Sequence, residues 1–144
     1  MRYCRAMLRS LFHALTLSSA LLAPLSAAGE QVLDGPGFDA LTRGRTYIYS
    51  EDGREYGAEQ YLPGHRVNWS FLDGRCLAGK WWEEAGNICF VYEDRPDEPL
   101  CWQFWQQGAG LMARVAEGGE GEGITYSARP AAEPLYCMGP DAGV

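Results

Sequence analysis

Between Gly44 and Ala128, turn-forming residues recur about every 8 to 12 positions, and no long stretch between them has a helical period. That spacing excludes long helices and βαβ units. Arg45–Ser50 alternates around Tyr47 and Tyr49, and Glu51-Asp52-Gly53 turns the chain. Arg54–Leu62 is closed by Pro63-Gly64, and Arg66–Leu72 follows with Val67, Trp69 and Phe71 on one face, ending at Asp73-Gly74. Cys76–Glu84, Asn87–Glu93, Cys101–Gln107, Leu111–Ala116 and Ile124–Ala128 complete the series. In Asn87–Glu93 the alternation puts Ile88, Phe90 and Tyr92 on one face and Cys89 and Val91 on the other. Asp94–Pro99 reads as a polar loop. The expectation is a mainly β domain, an antiparallel meander forming a small barrel or sandwich.

The first 28 residues are different in kind. Arg2, Arg5 and Arg9 precede an apolar stretch, Leu11–Leu25, and Ser26-Ala27-Ala28 supplies small residues. This is the order of a secretory signal peptide, with the cut expected after Ala28. The stretch is shorter than the roughly 20 residues a membrane-spanning helix needs, so no membrane anchor is expected after cleavage. The domain plan is therefore residues 1–28 as signal, 29–43 as a weakly structured segment with a helical turn starting at Phe38–Leu41, and 44–144 as one β domain with an irregular, Pro-rich tail. The expected location is the periplasm or the medium.

Cleavage removes Cys4 and leaves Cys76, Cys89, Cys101 and Cys137, an even number fit for two disulfides in an oxidising compartment. Four cysteines allow three pairings. If the strands around Cys89 and Cys101 form a hairpin centred near Arg95-Pro96, those two lie opposite each other, and non-hydrogen-bonded partners are about 4.5 Å apart at Cα. Cys76 then pairs with Cys137 and ties down the tail. A shift of one residue in Asp94–Pro99 would favour another pairing.

The leader takes three of 12 basic residues and none of 19 acidic ones, so nine cations face 19 anions and the mature charge is −10. Such a surface repels nucleic acid and anionic membranes. No cofactor motif is present. Zinc is not expected, because His65 is the one mature imidazole and the cysteines lack close spacing. Glu117–Gly123 alternates carboxylates with glycines, as calcium-holding loops do, but it occurs once and uses Glu, so it reads as a solvated hairpin loop. Asn68-Trp69-Ser70 matches a glycosylation sequon inside a strand and is read as chance. No catalytic residue is assigned.

Five tryptophans among 116 mature residues carry the binding argument. Adjacent strand residues face opposite ways, so Trp81 and Trp82 split between faces, and Trp102 and Trp105 split as well. At least one of each pair should face outward, where Trp81, Trp82, Trp102 and Trp105 are the candidate binding residues.

The run Gly44–Tyr47, Glu51–Gly53, Gly79–Trp81, Cys89 and Cys101–Trp102 resembles small exported proteobacterial proteins grouped as a domain of unknown function. The resemblance covers about residues 40 to 107 and implies no activity. Leu77–Trp81 with Cys89 is also similar to the first strand and cysteine of periplasmic inhibitors of secreted metalloproteases, which are lipocalin-like barrels with one disulfide. Here the G-x-W element lies mid-chain, four mature cysteines are present, and no residue matches the inhibitors' N-terminal trunk, so no inhibitory site carries over. The leading expectation is a non-enzymatic module binding an envelope protein or a glycan. The alternatives are a protease or hydrolase inhibitor, and a cell-wall hydrolase built on two carboxylates.

Overall fold

A computed structural model describes residues 30–138. The expected signal peptide and the last six residues lie outside them. Eight strands run in chain order: β1 Thr46–Glu51, β2 Arg54–Leu62, β3 Arg66–Ser70, β4 Leu77–Glu84, β5 Asn87–Tyr92, β6 Arg95–Gln107, β7 Gly110–Val115 and β8 Thr125–Pro130. Each pairs antiparallel with the next, and β8 returns to β1 with Tyr49 opposite Ala128, closing a barrel. Closure leaves no free sheet edge. The meander expected from the turn spacing is thus the fold. At the β1–β2 turn both Asp52 and Gly53 take positive φ, 47° and 76°, the conformation that matches the twist of a tight hairpin.

The segment before the barrel is more ordered than its composition suggests. Within 29–43, residues Gly35–Thr42 form helix α1. The Asp34 carboxylate accepts from the Gly37 amide at 2.8 Å, and Pro36 sits in the first turn, where its missing N–H costs nothing. The Gly35 amide donates to Glu83 of β4 at 2.6 Å, which fastens the helix to the barrel wall. Phe38, 0% exposed, enters the barrel and meets Phe104 at 4.5 Å, Trp81 at 5.1 Å and Tyr61 at 5.4 Å between ring centroids. It plugs one end. The helical turn expected at Phe38–Leu41 lies within this helix, and the weak apolar pattern of 29–43 hid its full extent, because so short a helix needs no long apolar stripe.

Cys89 pairs with Cys101, and Cys76 with Cys137. Two disulfides belong to an oxidising compartment. Cys89 and Cys101 do lie directly opposite in register. The connection differs from the expected loop: the chain turns at Glu93-Asp94, β6 begins at Arg95, and an irregularity between Phe90 and Tyr92 absorbs the extra residues. Pro96 and Pro99 lie in that irregular part, where a missing amide breaks no ladder. The bulge sits above the cysteines, so their register survives it. No helix among the described residues is long and apolar enough to cross a membrane.

Candidate functional site

Alternation along β2 turns Gly57, Glu59 and Tyr61 to one side, and closure of the barrel makes that side the inside. A carboxylate is thereby placed on an otherwise apolar, largely aromatic inner wall. Glu59 is 4% exposed. The Tyr92 hydroxyl of β5 donates to its Oε1 at 2.8 Å, and the Tyr61 hydroxyl to its Oε2 at 3.2 Å. The hydroxyls of Tyr49 and Tyr61 are 2.6 Å apart. A phenol has one proton, and Tyr61 gives its proton to Glu59, so Tyr49 donates to Tyr61. The result is a network with donors converging on the carboxylate: Tyr49 to Tyr61 to Glu59, and Tyr92 to Glu59.

Burial pushes the Glu59 carboxyl up to about 8, against the opposing pull of the Tyr92 and Tyr61 hydroxyls. Burial first, and then the neighbouring Glu59 charge, holds the phenols of Tyr49, Tyr61 and Tyr92 well above their ordinary value. All three remain donors at neutral pH.

Two glycines make room for this layer. A Cβ on Gly57 would lie 2.2 Å from the Trp69 ring, and one on Gly79 would lie 2.7 Å from the Tyr92 ring. Trp69 and Tyr92 can therefore lie against the wall. Above the tyrosines a cavity of about 670 Å³ extends to the end of the barrel away from α1. That volume lies within the range of small-molecule pockets, roughly 300 to 1,000 Å³. Trp69, Trp102, Tyr56 and Tyr126 form much of its wall, with Trp102 and Tyr126 packed edge to face at 5.5 Å. Exposed Phe71, Tyr56 and Ile124 stand at its mouth. The Glu117–Gly123 tract is the β7–β8 loop at the same end, and its Glu122 accepts from the Gly118 amide at 3.0 Å.

The four tryptophans singled out by alternation split as that argument requires, but they do not form one surface. Trp81, 3% exposed, faces inward, packs on Phe38 and stacks on His65 at 3.9 Å. Trp102 faces inward and lines the cavity. Trp82 faces outward, half-buried, and donates to Glu84 at 3.2 Å. Trp105 also faces outward yet is only 6% exposed: Val32 bridges to it, and the Arg114 guanidinium lies over its ring at 5.4 Å. Outward direction in a strand does not imply exposure when a terminal segment covers the wall.

His65 is in the β2–β3 turn at the plugged end, so among the described residues no imidazole lines the cavity. Glu84, Cys89 and Cys101 cluster closely enough to resemble a metal site, but both sulfurs are committed to the disulfide and offer no thiolate. The residues that sequence reasoning missed are Glu59 and its tyrosines. Their one visible signal is the Gly57-x-Glu59-x-Tyr61 face of β2.

No protein-family model matches this chain, and neither curated proteins nor solved structures yield a match.

Proposed function

We propose that this protein is a non-enzymatic binding module that takes a small, mostly apolar ligand into its barrel. The observation that carries the reading is the aromatic cavity of about 670 Å³ with a single buried carboxylate network at its base. An apolar chamber with few, fixed polar groups is what small-molecule recognition uses. This reading moves the contact from an outer patch on an envelope protein or a glycan to the barrel interior, and the rings of Trp69, Trp102 and Tyr126 on the cavity wall support it. Both oxygens of Glu59 are engaged by the phenols of Tyr61 and Tyr92, which speaks for binding over two-carboxylate hydrolysis. The inhibitor reading wants a protruding arm, whereas residues 32–33 are docked on β6. The periplasm or the medium is the proposed location, on the leader-like order of residues 1–28 together with the disulfides.

Native mass spectrometry of the protein recovered from its own compartment tests the reading. A bound small molecule is expected, and it should be lost when Ala113, buried on the inner wall, is replaced by Phe. Identical spectra for the two proteins, with no added mass in either, would refute it.

A further inference from the structure

The chemistry of the cavity is one-sided. Glu59 is the best-buried polar side chain lining it, and both its oxygens accept hydrogen bonds from phenol hydroxyls. Among the described residues no arginine or lysine forms an ion pair with it. Nearer the mouth the lining adds Asp94, Glu98, Glu117 and Glu120 against one cation, Arg95, which stands 3.8 Å from Asp94. Between the base and the rim the walls are the rings of Tyr49, Trp69, Tyr92, Trp102 and Tyr126. Ring faces carry partial negative charge and attract cations, most strongly where water is excluded.

A buried carboxylate without a counter-ion is expensive to ionise, and a cation that enters beside it removes that cost. An anionic ligand would meet four carboxylates at the rim and a base that supplies no cation to pair with it. A neutral ligand would leave Glu59 protonated and gain no ion pair from it.

Resting on the cavity reading above, we infer that the ligand is a small organic cation: an apolar body carrying a protonated amine or ammonium group that seats on Glu59 among the tyrosines. The rim carboxylates draw it in, the rings hold its body and shield its charge, and Glu59 is its counter-ion. The groups facing Glu59 are Tyr49 from β1, Tyr61 from its own strand and Tyr92 from β5, all neutral donors at neutral pH. Seating the cation favours ionised Glu59, so at pH 7 binding should expel the proton that the empty cavity retains.

Calorimetric titration of the full chain at pH 7 with three probes of one shape tests this: tryptamine, a cation; tryptophol, neutral; and indole-3-acetate, an anion. Tryptamine should bind at least about tenfold more tightly than tryptophol, with indole-3-acetate weakest. Repeating the tryptamine titration in buffers of different ionisation enthalpy should show release of about one proton per amine bound. Glu59→Gln should lower tryptamine affinity about tenfold and leave tryptophol almost unchanged. Tryptophol or indole-3-acetate binding as tightly as tryptamine overturns the cation assignment while leaving the cavity reading intact, and the wild-type chain alone decides this. Tryptamine affinity preserved in a cooperatively folded Glu59→Gln variant overturns it too. No heat from any probe, with no co-purifying molecule, overturns both readings.

Discussion

The Tyr92 hydroxyl on β5 donates to the Glu59 carboxylate on β2 at 2.8 Å, joining residues 33 apart in the chain across the interior of the barrel. Two strands that share no ladder are thus held together through one carboxylate, and the stability of the fold becomes linked to its protonation.

Stability should fall as the pH rises. The Glu59 carboxyl is raised from 4.5 to about 8 in the folded chain, so the folded state holds this proton more tightly than the unfolded state does. The stability it contributes is fully present below 4.5 and is lost as pH rises through about 8. Glu59→Gln removes the dependence. Between pH 5 and pH 9 the variant should gain on the wild type by on the order of 4 kcal/mol in unfolding free energy. Urea denaturation at both pH values measures it, and an unchanged difference would mean that Glu59 is solvated.

Phe38→Ala should cost about 3–5 kcal/mol, because the fully buried ring fills the plugged end. Amide hydrogen exchange should accelerate across Gly35–Thr42, since Phe38 is the largest side chain that α1 buries. Exchange that stays slow there would show that the helix is held by Glu83 rather than by the ring.

Gly57→Ala should cost about 1–3 kcal/mol through overpacking. The new Cβ would lie 2.2 Å from the Trp69 ring and 2.8 Å from the Ser70 carbonyl oxygen, so the indole and the backbone must both shift. Red-shifted Trp69 emission, isolated in a background where the other tryptophans are Phe, should accompany the loss. Wild-type stability and emission would show that the close packing at this wall is dispensable.

Replacing Cys76 and Cys137 by Ser should destabilise more than replacing Cys89 and Cys101. The first pair closes 61 residues and the second 12. Chain entropy alone assigns on the order of 4 and 3 kcal/mol to them. The first change should also free residues 131–138, which hold no strand and meet the barrel side through contacts such as the Met138 amide on the Gly74 carbonyl at 2.7 Å. Proteolysis confined to this tail in the Cys76/Cys137 variant is the signature. A resistant tail would mean that the contacts at Gly74 suffice without the bridge.

Turn chemistry and period-two alternation are local properties, and they determined much of this protein. They set the strand positions, the inward run Ile88-x-Phe90-x-Tyr92, the opposition of Cys89 and Cys101, and the split within each tryptophan pair. Alternation, however, assigns relative sides, not which side is inside or what covers the other. Only closure of β8 onto β1 made the Glu59 face of β2 an interior, and only the docking of Val32 buried outward-facing Trp105. Glu59 is one of 19 acidic residues with no local mark of its own. Its partners come from β1, from β2 and, 33 residues away, from β5, so the candidate site exists only when the barrel brings those strands to one centre. Helix α1 is a third such case: its cap is local, but its place is decided by the cavity that Phe38 fills.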